Sequence, residues 1–214
     1  MSTDEVRVVY ATLDLSTERL AELSSTLSED EKARASRFVF EQDRVRFVAA
    51  RGLLRELLGR TLGERPETLR FSYGKRGKPA LTGHALRFNL SHSHGKAAYV
   101  LSSRREVGID LERIRPVERA ERIAERLFSP DELEALRALD GEEREKEFFR
   151  AWTRREAHGK ASGQGLAGGA TASDGWTMIS LDPAPDYVAA LAVEGTDWQL
   201  MEGPWPIKGD GNER

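Results

Sequence analysis

The 214-residue chain contains no cysteine. That excludes a disulfide framework, a thiolate zinc site and a cysteine nucleophile, and it suits a reducing compartment. Long apolar runs are missing too. The longest, AAYVL from Ala97 and YVAALAV from Tyr187, fall far short of the roughly 18 residues a membrane-spanning helix needs, so they read as buried strands. Nor does charge of one sign dominate. The 33 Lys and Arg against 36 Asp and Glu leave a formal net charge of -3, which argues against a broad nucleic-acid surface and confines any anion site to a local patch. The first residues, MSTDEVRVVY, carry acids where a signal peptide has a basic region and then an apolar stretch. The expectation is a cytoplasmic protein with neither nucleic acid nor membrane among its partners.

What is present reads as an ordinary soluble globular chain: 39% hydrophobic and 32% charged, with enough length for one substantial core or two small lobes. Alternation through Val6, Val8, Tyr10 and Leu13 predicts a strand. Ser16 and Ser28 are each followed by acids and helix formers, as N-caps are. A helix follows over 43–62, its apolar stripe running through Val45, Val48, Leu53, Leu54, Leu57 and Leu58, with Arg44, Arg46, Arg51 and Arg55 on the other face. From Leu69 to Glu112 the period shortens, and LRFSYG, LRFNLS, AAYVLS and VGIDLE read as strands between turn residues. Helical patterning returns over 117–162, with a restart at Ser129-Pro130. After the glycine-rich GQGLAGGA from Gly163, the segments WTMISL, YVAALAV and DWQLM are expected to close a second small sheet, and 204–214 reads as a poorly ordered tail. This order gives an α+β protein of two comparable halves, an N-terminal lobe over 1–104 and a C-terminal lobe over 105–203.

Several residues here can do chemistry. In a strand, Asp110 and Glu112 project from one face while Ile109 and Leu111 project from the other. Two adjacent carboxylates repel, and a divalent cation relieves the repulsion, although an isolated pair of this kind also suits a solvated strand edge. On the helix in FFRAWTRREAHGKASG, Trp152, Glu156 and Lys160 are four apart, so they drift only about 80° across one face. That stripe is either a stabilising ion pair beside a core tryptophan or, with Phe148, Phe149 and Trp152 anchoring the helix, a charged pair aimed into a cleft. In FNLSHS, Ser91, His92, Ser93 and then His94 offer hydroxyl, imidazole and turn N–H donors to a phosphate; zinc on His92, His94 and a third ligand is the weaker alternative. Lys75, Arg76 and Lys78 in YGKRGKPAL form an anion-friendly loop or a solvated turn. His84 and His158 have no constellation and read as surface or structural.

Taken in order, GKP, FNLSHS, VGIDLE and WTRREAHGK resemble the 4'-phosphopantetheinyl transferases, specifically the surfactin-synthetase-activating type, over most of residues 27–166. The resemblance implies two pseudo-twofold-related lobes, each a small, mostly antiparallel sheet packed with helices, with the active site at their interface. It also implies an enzyme, acting as a monomer, that transfers phosphopantetheine from coenzyme A to a serine of an acyl or peptidyl carrier protein and releases 3',5'-ADP. By position, Asp110, Glu112 and Glu156 match the magnesium ligands. Lys78, Ser91 and His92 match residues that contact coenzyme A, Lys160 the lysine beside its pyrophosphate, and Arg34, Arg46 and Arg51 the holders of the 3'-phosphate. Glu156 is then the candidate base, with Lys160 and His92 stabilising the leaving group. The chain departs from the family pattern at Arg155, where lysine is common, at His158 and Gly159, where a looser helical turn is expected, and at Glu31, which stands where a basic residue is common. Two rivals are a coenzyme A or carrier-binding protein without catalysis and a metal-dependent phosphohydrolase.

Overall fold

The structure, a computed structural model, describes residues 4–74, 76–165 and 175–204. Lys75, the second half of the glycine-rich connection and the expected tail from 205 onward lie outside the described residues. The valine-rich EVRVVYAT forms β1 (Glu5–Thr12). Three helices follow: α1 (Thr17–Thr26), whose cap Ser16 accepts from the Arg19 N–H; α2 (Glu29–Ala35); and α3 (Glu41–Leu62), which stops at Gly63 in the left-handed region at φ 73°. The short strands are β2 (Phe71–Tyr73), β3 (Pro79–Leu81), β4 (Arg87–Ser93), β5 (Lys96–Ser102) and β6 (Val107–Arg113). Ser129 and Pro130 restart the helical run as expected, giving α4 (Ala120–Leu127), α5 (Pro130–Arg137) and α6 (Gly141–Ser162). The chain ends in β7 (Trp176–Ala184), β8 (Tyr187–Glu194) and β9 (Gln199–Pro204).

These elements stack as helix, sheet, sheet, helix. One sheet runs β4-β5-β1-β9 and the other β6-β8-β7, with β2-β3 a separate ribbon. Because strand side chains alternate, β1 and β5 are apolar on both faces. Val9, Ala11, Ala97, Tyr99 and Leu101 pack against α1 and α3, while Val6, Val8, Ala98 and Val100 meet Val107, Ile109, Leu111, Leu191 and Val193 of the second sheet. On the far side, Ala190 and Ala192 of β8 pack against Ala157 and Ala161 of α6. The mixed α+β architecture with small, mostly antiparallel sheets is as the sequence implied.

Three expectations are corrected. DWQLM does not close the second sheet: β9 pairs in parallel with β1, Val6 opposite Leu200, so a segment of the C-terminal half completes the N-terminal sheet. The physical reason is the free edge of β1, whose other edge is taken by β5, together with burial of Leu200 and Trp198 against the inter-sheet core. Second, α3 has no solvated arginine face along its middle. Arg51 and Arg55 are buried with Glu31, which is 1% exposed. The Arg51 Nε donates to Glu31 Oε1, the Arg55 Nε to Oε2 at 2.6 Å, and the Ser28 N–H to Oε2 at 3.0 Å. An acid therefore stands at position 31 because it ties α2 to α3 and closes the capping box of α2. Third, α6 runs unbroken through His158 and Gly159. The glycine is used for close packing instead, since a Cβ there would meet the backbone of Gly165 at 2.7 Å.

Two consequences can be measured. Burial works against ionisation of Glu31, but the Arg51 and Arg55 guanidiniums and the Ser28 N–H outweigh it and hold the carboxyl below its usual range. A depressed folded-state pKa stabilises above the unfolded value and loses that contribution as pH falls through the folded value. Glu31→Ala is expected to cost about 3–5 kcal/mol in urea denaturation at neutral pH, because it strands two buried guanidiniums, and less in acid. Gly108 of β6 lies against α6, where an added Cβ would meet the Ala157 carbonyl oxygen at 2.1 Å and the Ala161 nitrogen at 2.5 Å. Gly108→Ala must therefore push the helix away, and the same measurement is expected to register a loss of about 1–3 kcal/mol.

Candidate active site

The close contact at Gly108 sets the depth of the site. With Ile109 and Leu111 in the inter-sheet core, Asp110 and Glu112 are turned toward α6, which brings Glu156 and Lys160 one helical turn apart. The Lys160 Nζ donates to Asp110 Oδ1 at 2.7 Å, to Ser91 Oγ at 3.0 Å and to the Ile109 carbonyl at 3.2 Å. Ser91 donates to the same Asp110 oxygen at 2.8 Å. Asp110 is 4% exposed, and its second oxygen, Oδ2, is buried without a partner among the described residues. A buried, unpaired carboxylate oxygen costs desolvation energy, so this one is an acceptor left unsatisfied inside the site.

The neighbouring carboxyls respond. Burial raises Glu156 above the ordinary carboxylate range and Asp110 raises it further, against the opposing pull of Lys160. Burial also raises Glu112, helped by Asp110, while the Ser93 hydroxyl, donating to Glu112 Oε2 at 2.8 Å, counteracts it. Among the described residues no group of three or more His, Cys, Asp or Glu side chains is already arranged to hold a metal ion. By donor chemistry, however, Asp110, Glu112 and Glu156 fit a hard divalent cation: all are carboxylates, one presents an unpaired buried oxygen, and two are raised by burial and by the charge of Asp110.

Beside these acids lies a cationic hollow. A cavity of about 450 Å³ is lined by Arg34, Phe47, Arg51, Ser91, His92 and Lys160. It shares Gly77, Pro79, Leu90 and Lys160 with a second cavity of about 310 Å³ that reaches Lys78 and Glu156. His92 is exposed at its surface, but the surrounding protein lowers it below the usual imidazole value, and the charges of Lys160, Arg46 and Arg34 lower it further, which favours the uncharged ring. Arg34 lies 5.4 Å from the centre of the Phe47 ring and has no carboxylate partner among the described residues. Among the described residues, Arg46 makes a 3.4 Å contact with Asp14 and its Nε is buried without a partner. Such spare cationic donors suit phosphate oxygens.

Other candidates are engaged elsewhere. Arg51 reaches the cavity wall, yet its guanidinium is held by Glu31 and by the Tyr73 hydroxyl at 2.7 Å. The Lys78 Nζ donates to Glu106 at 3.0 Å and to the carbonyls of Val107 and Ala161, strapping its loop to the second lobe. Arg155 is buried away from the acids, bridging to both oxygens of Glu132 and to the Leu127 carbonyl, a fork that lysine lacks. His158 is buried, 5.5 Å edge-on from Trp176, and His84 sits 3.3 Å from Glu64. Sequence reasoning assigns Asn89 no task and offers Ser93 as a phosphate donor; the Ser93 hydroxyl is instead turned to Glu112 Oε2 at 2.8 Å, because β4 packs that face against β6. Asn89 Oδ1 accepts the Ile109 N–H at 3.1 Å, and with Ser91 and Ser93 it lines β4 at every second position against β6. That period of two was the available signal.

A family model described as 4'-phosphopantetheinyl transferase, N-terminal, matches residues 14–105, and one described as the 4'-phosphopantetheinyl transferase superfamily matches 106–205. The 4'-phosphopantetheinyl transferase HetI of Nostoc sp. is 41% identical over 92% of this chain and 91% of its own length. The chain belongs to the 4'-phosphopantetheinyl transferase superfamily. The transferase AcpT of Salmonella typhimurium is 39% identical over 60% of this chain and 61% of its own length; psf-1 of Bacillus pumilus is 32% identical over 82% and 76%.

In this transferase the raised Glu156 makes a test of the site's electrostatics. A carboxyl whose folded pKa is raised supports the fold while protonated and loses that support as pH rises through the folded value. Glu156→Gln is neutral throughout. Its melting temperature is therefore expected to match wild type in acid and to exceed it at about pH 8, by differential scanning fluorimetry. A lower value than wild type at the higher pH contradicts the repulsion inferred here.

Proposed function

We propose that this enzyme transfers the 4'-phosphopantetheine of coenzyme A to a serine of an apo acyl or peptidyl carrier protein, releasing 3',5'-ADP. We also propose that it is of the surfactin-synthetase-activating type, acts as a monomer in the cytoplasm and depends on Mg²⁺. The observation that carries the reading is the divided Asp110 carboxylate, one oxygen held by Ser91 and Lys160, which line a hollow with Arg34 and His92, and the other buried with no partner among the described residues.

Asp110, Glu112 and Glu156 would hold the Mg²⁺, which supplies neutralisation of negative charge beside the pyrophosphate. Arg34 and Arg46 receive the anionic nucleotide end with their spare donors. The carrier serine oxygen bonds to the β-phosphorus as the bond from that phosphorus to the 3',5'-ADP oxygen breaks. Glu156 accepts the serine proton. Lys160, whose three N–H groups are fixed by Asp110, Ser91 and the Ile109 carbonyl, brings its positive charge beside the leaving group, and the His92 ring offers it an N–H donor.

The test is mass spectrometry of several apo carriers incubated with the protein, coenzyme A and Mg²⁺. The expected result is a gain of one phosphopantetheine on a serine, with Glu156→Gln slowing transfer by about 100-fold or more, the range for loss of a positioned proton acceptor. No gain on any carrier, or release of 3',5'-ADP without a carrier, would replace this reading with binding alone or with hydrolysis.

A further inference from the structure

Asp110 and Glu112 belong to one lobe, but each also has an oxygen held by a serine from the other. On β4, Ser91 donates to Asp110 Oδ1 at 2.8 Å and Ser93 donates to Glu112 Oε2 at 2.8 Å. Two serines two apart on one strand thus meet two carboxylates two apart on another, each taking one oxygen. For Asp110 the remaining oxygen is the buried, unpaired Oδ2. For Glu112, Oε2 also receives Arg115 at 3.7 Å, and Oε1 has no partner among the described residues.

Donor counting assigns the Ser93 proton. The Arg113 N–H donates to Ser93 Oγ at 3.2 Å and so uses an acceptor site on that oxygen. The one hydroxyl proton is left for Glu112 at 2.8 Å or His94 Nδ1 at 3.3 Å, and the shorter contact to a carboxylate is the stronger. Ser93 is buried, and a fixed backbone donor holds its oxygen, so the hydroxyl has little freedom to turn elsewhere.

We infer that Ser93 is a positioning residue that fixes the Glu112 carboxylate through Oε2 and presents Oε1 to the divalent cation, as Ser91 does for Asp110. The inference rests on reading Asp110, Glu112 and Glu156 as the metal-holding carboxylates. Groups that orient a metal ligand from behind govern its affinity, because an unrestrained carboxylate must lose rotamer freedom on binding. Closing the two lobes along β4 and β6 is then part of building the metal site.

The experiment compares wild type, Ser93→Ala, Ser93→Thr and Glu112→Gln. It reads direct Mn²⁺ binding by electron paramagnetic resonance, the Mg²⁺ concentration for half-maximal transfer, KM for coenzyme A at saturating Mg²⁺, and melting temperature without metal. Ser93→Ala is expected to weaken Mn²⁺ binding about 10–100-fold and to raise the Mg²⁺ requirement correspondingly. KM for coenzyme A should stay near wild type, the metal-free melting temperature should fall because the Arg113 N–H loses its acceptor, and Ser93→Thr, which keeps the hydroxyl, should restore the Mn²⁺ affinity. Should the alanine variant fail to fold, Ser93→Cys, of similar size but a weak donor, replaces it with the same expected loss. Wild-type Mn²⁺ affinity in Ser93→Ala, or a threonine variant as weak as the alanine one, overturns the inference while Glu112→Gln remains defective. A wild-type enzyme that neither binds Mn²⁺ nor needs Mg²⁺ overturns the carboxylate reading itself.

Discussion

Everything at the site depends on how one carboxyl group is accommodated inside the protein. Asp110 is withdrawn from water between two sheets and a helix, and a bare carboxylate there would be costly. The Lys160 ammonium and the Ser91 hydroxyl offset that cost on one oxygen only. The other oxygen keeps the penalty, and on the proposed reading a bound cation would relieve it. The repulsion felt by Glu112 and Glu156 extends the same imbalance over three side chains drawn from a strand and a helix.

The layered fold supplies the conditions for this arrangement. The inter-sheet core, with Ile109 and Leu111 fully buried, fixes which way β6 faces, so Asp110 and Glu112 have no alternative but to turn toward α6. Gly108, Ala157 and Ala161 let the helix approach the strand closely enough for a lysine on the helix to reach the strand's own carbonyl. Elsewhere the same economy of charge serves stability instead. Glu31 between Arg51 and Arg55 joins α2 to α3, and Arg155 on Glu132 joins α6 to α5.

Much of this was legible in the sequence, unevenly. Strand alternation placed Asp110 beside Glu112, and helical spacing placed Glu156 beside Lys160, because both follow from local geometry. The Ser129-Pro130 restart followed from capping chemistry for the same reason. Partner choice was hidden. DWQLM pairs with β1, about 190 residues earlier, and nothing within its own pattern names that edge. The arginines of α3 looked solvated because periodicity counts charge as polar; burial beside Glu31 depends on α2 folding back over them. Arg51 and Lys78 keep their places near the hollow, yet their charged ends are committed to Glu31, Tyr73, Glu106 and two carbonyls.

By itself the sequence determined the elements, the four segments in their order and therefore the expectation of a family, since these depend on residue type and spacing along the chain. The tertiary structure decided which charges are buried, which are already paired and which oxygens are left free. Those are energies of contact between groups far apart in sequence: Ser91 lies on one lobe and Lys160 on the other, and only packing the lobes together divides the two oxygens of Asp110 between them.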